Sequence, residues 1–98
     1  VLAADECDDP QALDLELTVN GEVEQEGSTA EMVFPVTAII EFISSFVTLV
    51  PGDIISTGTP PGVGHGNKPN PVYLNAGQEM RLGIDGLGEQ RTMVVKDQ

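Results

Sequence analysis

The sequence is poor in basic side chains, with four Lys or Arg residues against sixteen Asp or Glu in 98 residues. The formal net charge is −12 at pH 7, so the chain would repel a phosphate backbone. Aromatic side chains are also scarce, with three Phe, one Tyr and no Trp, which leaves too few rings to stack bases. These two shortages argue against nucleic acid as a partner.

Long apolar runs are missing as well. The longest apolar stretch is interrupted by polar side chains at Glu41, Ser44, Ser45 and Thr48. No segment therefore reaches the roughly 20 apolar residues of a membrane span. The opening VLAADECDDP has no basic start and is unlike a signal peptide. A single cysteine, Cys7, cannot form an internal disulfide. We expect no membrane partner and a reducing, cytoplasmic compartment.

The composition that remains is that of a folded chain. Apolar residues make up 40% of the sequence, which is ordinary for a globular protein and too much for a disordered one. Residues 1–11 are polar and acidic, and we interpret them as a lead-in without a fold of their own. A chain of this length fits one domain at most, with a modest core.

Strand patterns dominate the rest of the chain. Residues 13–19, LDLELTV, alternate apolar and polar side chains, which predicts a half-buried strand. The Asn20-Gly21 pair that follows is a strong hairpin signal, and EVEQEG would be the returning strand. Further short strands are predicted at DIIST (53–57), PVYL (71–74), EMRLGI (79–84) and EQRTMVV (89–95).

One segment has helical periodicity. Apolar residues recur at helical spacing in Val36, Ile39, Ile40, Ile43 and Val47. Pro35 suits the first turn of a helix. Ser28 with Glu31 also resembles a capping box, but a helix starting there would contain Pro35 at a cost of about 3 kcal/mol. We therefore predict a mixed, β-rich α+β fold with one amphipathic helix near residues 35–48, beginning near Phe34.

The loop STGTPPGVGHG (56–66) is the first candidate site. In an extended chain Thr57 and Thr59 would share a face, with Gly58 between them allowing close backbone approach. Two hydroxyls and nearby backbone N–H groups can bind a carboxylate. The alternative is structural: prolines end an edge strand and glycines form a wide turn. From the residues alone both interpretations stay open, and the structural one is slightly favoured.

The acidic strand EVEQE is a second candidate. Regular alternation would place Glu22, Glu24 and Glu26 on one face, where carboxylates can chelate Mg²⁺ or Mn²⁺. Such a row is far more often a solvated face of an acidic protein. His65, the one histidine, has no sequence neighbour that would form a dyad, and we interpret it as a solvent-facing loop residue.

Three stretches together resemble one family. DPQALDLELTVNGEVEQEGSTAEMVF, LVPGDIISTGTPPGVG and LNAGQEMRLGIDGLGEQR follow the order and spacing of the C-terminal part of the fumarylacetoacetate hydrolase family. Similarity is strongest to its acylpyruvases, oxaloacetate decarboxylases and 2-hydroxyhepta-2,4-diene-1,7-dioate isomerases. The resemblance covers nearly all of residues 1–98 and implies part of a catalytic domain with a β-roll, left incomplete here.

The resemblance also implies a function. Family members are usually dimers that use Mg²⁺ or Mn²⁺ to act on 1,3-dicarbonyl or 2-oxo acid substrates. Thr59 matches the threonine that binds the substrate carboxylate, with Gly58 and Thr57 beside it. The family's metal ligands and proton-transfer residues lie upstream of the matched region, so the resemblance assigns this chain no metal ligand and no catalytic residue. The chain alone is expected to be inactive and metal-free.

Two functions of different classes follow. The first is part of a metal-dependent hydrolase or lyase, with this segment supplying the substrate-carboxylate loop. The second is a non-catalytic binding or assembly module that keeps the β-roll without the metal site. The amount of exposed apolar surface discriminates between the two functions. Part of an enzyme exposes the apolar surface that the rest of the enzyme would cover, whereas a stand-alone module buries its apolar surface.

The distribution of charge generates a stability prediction. Residues 1–31 contain ten Asp or Glu and no Lys or Arg, and such self-repulsion opposes a compact state. Molar KCl shortens the screening length to about 3 Å, so we expect the midpoint of thermal unfolding to rise from dilute buffer to molar KCl, as suits a source that works in high salt. Equal midpoints, measured by circular dichroism, would contradict this expectation.

Overall fold

The computed structural model describes residues 2–66, 70 and 72–97. Its strands are β1 (Asp14–Val19), β2 (Glu22–Ser28), β3 (Glu79–Ile84) and β4 (Gly88–Met93). They form an open antiparallel sheet in the order β2-β1-β3-β4. One α-helix, α1 (Val36–Ser44), and 3₁₀ turns at Ala4–Glu6, Thr29–Glu31 and Gly64–Gly66 complete the described elements. The predicted β-rich class with one helix is confirmed, and the β-roll, expected to be incomplete in this chain, stays a prediction.

Two hairpins form, the first of them at the predicted Asn20-Gly21 turn. Asn20 and Gly21 have φ angles of 50° and 82°, the positive pair that a type I′ turn requires. They connect β1 to β2 directly. The second hairpin joins β3 to β4 through residues 85–87, with Gly86 at a φ of 73°. Asn20 also donates its backbone N–H to the Glu79 carbonyl at 2.8 Å, which ties the first turn to the start of β3.

Helix α1 begins where Pro35 predicts and ends earlier than expected. Pro35 occupies the N-cap position, and the side-chain oxygen of Gln11 accepts a hydrogen bond from the first helical N–H, that of Val36, at 2.8 Å. At the other end the hydroxyls of Ser44 and Ser45 donate to carbonyls three residues back. Such side chains compete with the helical backbone pattern, so the regular helix stops at Ser44 rather than near residue 48.

Two of the predicted strands are wrong. Residues 53–57 are not in a strand, and neither are residues 72–74, while position 71 lies outside the described residues. A strand needs a partner for its backbone groups, and within the described part of the chain no strand pairs with either segment. Without a partner strand in the described chain, residues 53–57 leave apolar surface uncovered, and Ile54 is 94% exposed.

The sheet has one apolar and one polar face. Residues directly opposite one another in a sheet share a face, and the register places Leu15 opposite Ile84, Leu17 opposite Leu82 and Val19 opposite Met80. All six of these side chains are only half-buried. The acidic and basic side chains of β1, β3 and β4 lie on the other face.

The described chain has no closed core, because none of its described residues is fully buried. The molecule exposes 7935 Å², whereas a compact monomer of this mass exposes about 5,400 Å². Its radius of gyration is 16.0 Å, against about 13 Å for a compact domain of this length. Large apolar side chains lie open, among them Val33, Phe34, Phe42, Ile54 and Val95. The sheet is formed, and its apolar face is only partly covered.

A charged cluster links β3 to β4 on the polar face. Arg81 and Arg91 are cross-strand neighbours, and like charges in that position repel. The Glu79 carboxylate bridges them, accepting a hydrogen bond from Arg91 at 2.7 Å and one from Arg81 at 3.0 Å. These contacts, the Arg91 hydrogen bond foremost, hold the pKa of Glu79 below its ordinary value, although desolvation opposes the shift.

The cluster gives a prediction for acid pH. The pKa of Glu79 is lower in the folded state than in the unfolded state, so its ionised carboxylate stabilises the fold. This stabilisation is complete above the unfolded-state pKa and is lost as pH falls through the folded-state pKa. Following the Glu79 carboxyl carbon by NMR, we expect Arg91→Gln to raise the titration midpoint towards the ordinary value. The matched control Lys96→Gln removes one positive charge from the segment that follows β4. Equal shifts in both variants would show that net charge, not the contact, sets the pKa.

Candidate functional site

The loop that carries the predicted site is fastened to the edge strand β2. The side-chain amide nitrogen of Gln25 donates to the Thr59 hydroxyl at 2.7 Å and to the Pro60 carbonyl at 2.8 Å. Gln25 lies opposite Leu17, so it projects from the apolar face of the sheet. Loop and strand are therefore held together by a half-buried amide on the apolar side.

Two glycines let the loop come this close. A Cβ on Gly27 of β2 would lie 3.2 Å from Cβ of Pro60, tighter than ordinary van der Waals contact. A Cβ on Gly62 would collide with the backbone oxygen of Glu24, and Gly62 also has a φ of 113°. The path of the loop across β2 thus depends on the absence of side chains at both positions.

A β-bulge at Glu24 overturns the predicted row of carboxylates. Leu17 pairs with Gln25 and Thr18 with Val23, so Glu24 is an extra residue in β2. The alternation changes face at this point. Glu26 then lies opposite Glu16 on the polar face, whereas Glu22 lies opposite Val19 on the apolar one. The expectation that Glu22, Glu24 and Glu26 share a face is wrong.

The structure does bring the predicted loop residues together. Thr57, Gly58 and Thr59 line one cleft of about 480 Å³. Its opposite walls come from β1, the segment before α1, and α1 itself, through residues that include Leu15 and Ile39. Gly58 has a φ of 92°, and no heavy atom lies within 4 Å of the position that a Cβ would take there. Backbone conformation rather than crowding therefore explains the glycine.

The cleft combines hydroxyl donors with an apolar wall. None of its lining residues is basic, and Glu31 is acidic, so an anion bound here would rely on neutral hydrogen-bond donors. The Thr57 and Thr59 hydroxyls and loop N–H groups are such donors. The arrangement suits a small molecule with a carboxylate at one end and a short apolar portion, oriented by geometry more than by charge.

A second depression, beside the turn between β3 and β4, is strongly acidic. Its volume is about 910 Å³, and its carboxylates are those of Asp14, Glu16, Glu26, Glu31, Asp85 and Glu89. Within residues 2–66, 70 and 72–97, however, no three His, Cys, Asp or Glu side chains come together in a way that could hold a metal ion. The described residues do not fit a divalent metal, and the acidic-hairpin metal site is not supported.

Sequence reasoning overlooked Gln25. A glutamine in an acidic strand carries no local signal, and its role depends on the bulge that turns it towards the loop.

Two other residues singled out in the sequence are His65 and Cys7. His65 lies in the 3₁₀ turn Gly64–Gly66. Cys7 is half-exposed and free. None of the helices in the described part of the chain has the length and apolar character that crossing a membrane requires.

The chain forms an open antiparallel sheet with a loop on its apolar face, and known proteins have a similar fold. The model of the fumarylacetoacetate hydrolase C-terminal family matches residues 1–95. The chain belongs to this family. A protein of Burkholderia multivorans, assigned to the hydrolases without a named substrate, is 60% identical over 90 residues, which cover 92% of this chain and 32% of that relative.

Solved structures agree with this assignment. Maleylpyruvate hydrolase from Sphingobium sp. SYK-6, in complex with manganese(II) and pyruvate, is 40% identical with a TM-score of 0.84, covering 100% of this chain and 34% of that one. The 2-hydroxyhepta-2,4-diene-1,7-dioate isomerase from Mycobacterium marinum is 42% identical with a TM-score of 0.73, covering 89% and 31%. The chain thus spans about a third of the length of the relatives it matches.

Two glycine substitutions test how the loop is seated. Gly58→Ala meets no neighbouring atom and should cost only the backbone penalty of a positive φ, about 1 kcal/mol in the free energy of unfolding. Gly62→Ala adds a collision with the Glu24 backbone, so we expect a larger loss and release of the Gln25 side-chain amide. Urea unfolding and the NMR signals of that amide measure both effects. Equal losses would refute the close contact between the loop and β2.

Proposed function

We propose that residues 1–98 are the C-terminal part of a fumarylacetoacetase-like catalytic domain. The complete protein would be a divalent-metal-dependent hydrolase or lyase acting on 1,3-dicarbonyl or 2-oxo acids, by acylpyruvate hydrolysis, oxaloacetate decarboxylation or a related isomerisation. Family membership supports this general activity. The observation that carries the proposal is the convergence of Thr57, Gly58 and Thr59 in one cleft, with the Thr59 hydroxyl held by Gln25.

The role of this chain in the chemistry is to bind and orient. Breaking a bond beside a carbonyl develops negative charge on the substrate oxygen, and a bound divalent ion would supply the Lewis acid that stabilises it. Thr59, with the backbone shaped by Gly58, would hold the substrate carboxylate. Because one end of the substrate would be fixed in this way, the reacting bond would be held in the orientation that the reaction needs. The apolar wall would limit access of water.

The proposal places the metal ligands elsewhere in the complete protein. The Sphingobium relative contains manganese, whereas the described residues of this chain offer no group that could hold a metal. We therefore infer that the chain alone is inactive and that its carboxylate loop works beside ligands from another segment. The complete protein would also close the β-roll and form a homodimer.

The uncovered apolar surface favours this function over the stand-alone module. A module that folds and acts by itself should bury its apolar face. Here no described residue is fully buried, and Phe34, Phe42 and Ile54 are mostly exposed. Exposed apolar surface of this extent marks a site of contact with other polypeptide, in agreement with a chain that spans a third of its relatives.

A chimera tests the function. In the Burkholderia multivorans relative, the matched third is replaced by residues 1–98, which are 60% identical over the matched 90 residues. With Mn²⁺ we expect turnover of an acylpyruvate such as maleylpyruvate, of oxaloacetate, or of 2-hydroxyhepta-2,4-diene-1,7-dioate. Thr59→Val, which removes one hydroxyl at constant size, should lower kcat/KM about tenfold or more, as expected for a hydrogen bond to a charged group.

The control for this experiment is Thr48→Val, a matched substitution outside the cleft. It should leave kcat/KM within about twofold, because surface substitutions of this kind change little. A well-folded, manganese-loaded chimera without activity on any of the three substrates would refute the proposed function. If the Thr59→Val variant kept full activity, the proposed function would stand, but Thr59 would not be the residue that binds the substrate carboxylate.

A further inference from the structure

Gln25 reaches the candidate loop from the apolar face of the sheet. It begins a lateral row across that face, in which Leu17, Leu82 and Gln90 follow it from β1 to β4. The two central strands contribute leucines to this row, and the two edge strands contribute glutamines. Gln25 is the member that donates hydrogen bonds to the loop. Its side chain is half-buried; the hydrogen bond to the Pro60 carbonyl is partly shielded from water, whereas the one to the Thr59 hydroxyl is exposed.

The orientation of this amide is fixed by its second contact. The oxygen and nitrogen of a glutamine side chain are close in size, and the hydrogen-bond network decides which of them occupies each position. The Pro60 carbonyl, 2.8 Å away, can only accept a hydrogen bond. The atom facing it must therefore be the NH₂ group. The same nitrogen faces the Thr59 hydroxyl at 2.7 Å, and its two hydrogens serve the two acceptors.

A consequence follows for Thr59. A hydroxyl has one hydrogen to donate and two lone pairs to accept with. Because the amide nitrogen of Gln25 is a donor only, the Thr59 oxygen must accept from it. The single hydroxyl hydrogen of Thr59 cannot be used in that contact. It is left to point elsewhere, and Thr59 lines the cleft.

We propose that Gln25 is a positioning residue that fixes the Thr59 hydroxyl as a hydrogen-bond donor to the cleft. The ligand atom opposite the Thr59 hydrogen is then an acceptor oxygen, of the class found in the carboxylate of a 2-oxo acid. This inference rests on the proposed function and adds to it the residue that sets the polarity of the loop. Gln25 itself touches no substrate.

The β-bulge is what makes this arrangement possible. With regular alternation from Glu22, which faces the apolar side, residues 24 and 26 would follow on that side and Gln25 would face away. The extra residue Glu24 reverses the alternation and turns Gln25 towards Thr59. Bulges commonly re-aim a side chain in this way at binding sites.

The test measures binding of pyruvate to the chimera with the Burkholderia multivorans relative, loaded with diamagnetic Mg²⁺ so that the NMR signals of the loop stay sharp. Backbone amide shifts of Gly58 and Thr59 are followed by NMR as sodium pyruvate is added. Gln25→Glu replaces a donor by an acceptor that takes the Thr59 hydrogen, and we expect the dissociation constant to rise about tenfold or more. Gln25→Met removes the donor without adding charge, and we expect a smaller rise. Gln90→Glu adds the same charge in the same row at the opposite edge and should change affinity less than about twofold.

A second measurement separates positioning from support of the fold. In a Thr59→Val background there is no hydroxyl to orient, so Gln25→Met should cause no further loss of affinity, a non-additivity that marks coupled residues. The side-chain amide signals of Gln25 report the geometry without ligand: Thr59→Val should shift one of its two hydrogens and leave the one bound to Pro60. Strand amides of β1 and β3 confirm that each variant stays folded.

The outcomes are distinguishable. If the unsubstituted chimera binds pyruvate and both Gln25 variants bind equally well, Gln25 does not position Thr59 and the inference is overturned, while the carboxylate loop stands. Additive losses in the Thr59→Val background also overturn it. If the folded, Mg²⁺-loaded chimera binds pyruvate without a shift at Gly58 or Thr59, or shows no binding at all, the carboxylate loop itself fails, and the inference fails with it.

Discussion

The arrangement of the candidate site depends on one extra residue in an edge strand. Glu24 has no partner in β1, and the bulge it creates changes which side chains of β2 face the apolar side of the sheet. Before the bulge Glu22 faces that side; after it Gln25 and Gly27 do. These last two residues make the contacts with the loop, one by hydrogen bonds and one by leaving room for Pro60. Without the bulge the strand would present carboxylates there instead.

The sheet holds together although little of it is buried. Its two central strands, β1 and β3, satisfy their backbone groups on both sides, and six apolar side chains meet across them. The helix contributes less, because Phe42 and Phe46 stack on each other in an edge-to-face pair at 5.3 Å and both remain largely exposed. Backbone pairing therefore defines the described fold more than a hydrophobic core does, and such a chain has little stability to spare.

Local signals predicted the local structure, and what they missed depends on pairing. The alternation in β1, the Asn20-Gly21 turn and the start of α1 follow from neighbouring residues. Residues 53–57 have the composition of a strand but no partner in the described chain, and a strand exists only when another strand accepts its hydrogen bonds. The candidate site likewise has one part that neighbouring residues predict and one part that depends on a residue distant in sequence. The loop residues are adjacent in sequence, and their role as a carboxylate loop stays a prediction, whereas Gln25 precedes Thr59 by 34 residues, a separation over which no local pattern operates.

The charge of the chain constrains what this loop can contribute. A protein with a net charge of −12 repels a carboxylate at long range, and no basic side chain lines the cleft to offset that repulsion. Neutral donors such as the Thr59 hydroxyl act only over hydrogen-bond distance, where they select direction and polarity. If the loop binds a substrate carboxylate, it therefore determines how the substrate lies, while most of the attraction must come from charge supplied outside these residues. An orienting loop and a separate source of positive charge are thus two parts of one requirement, and under the proposed function this chain supplies the first of them.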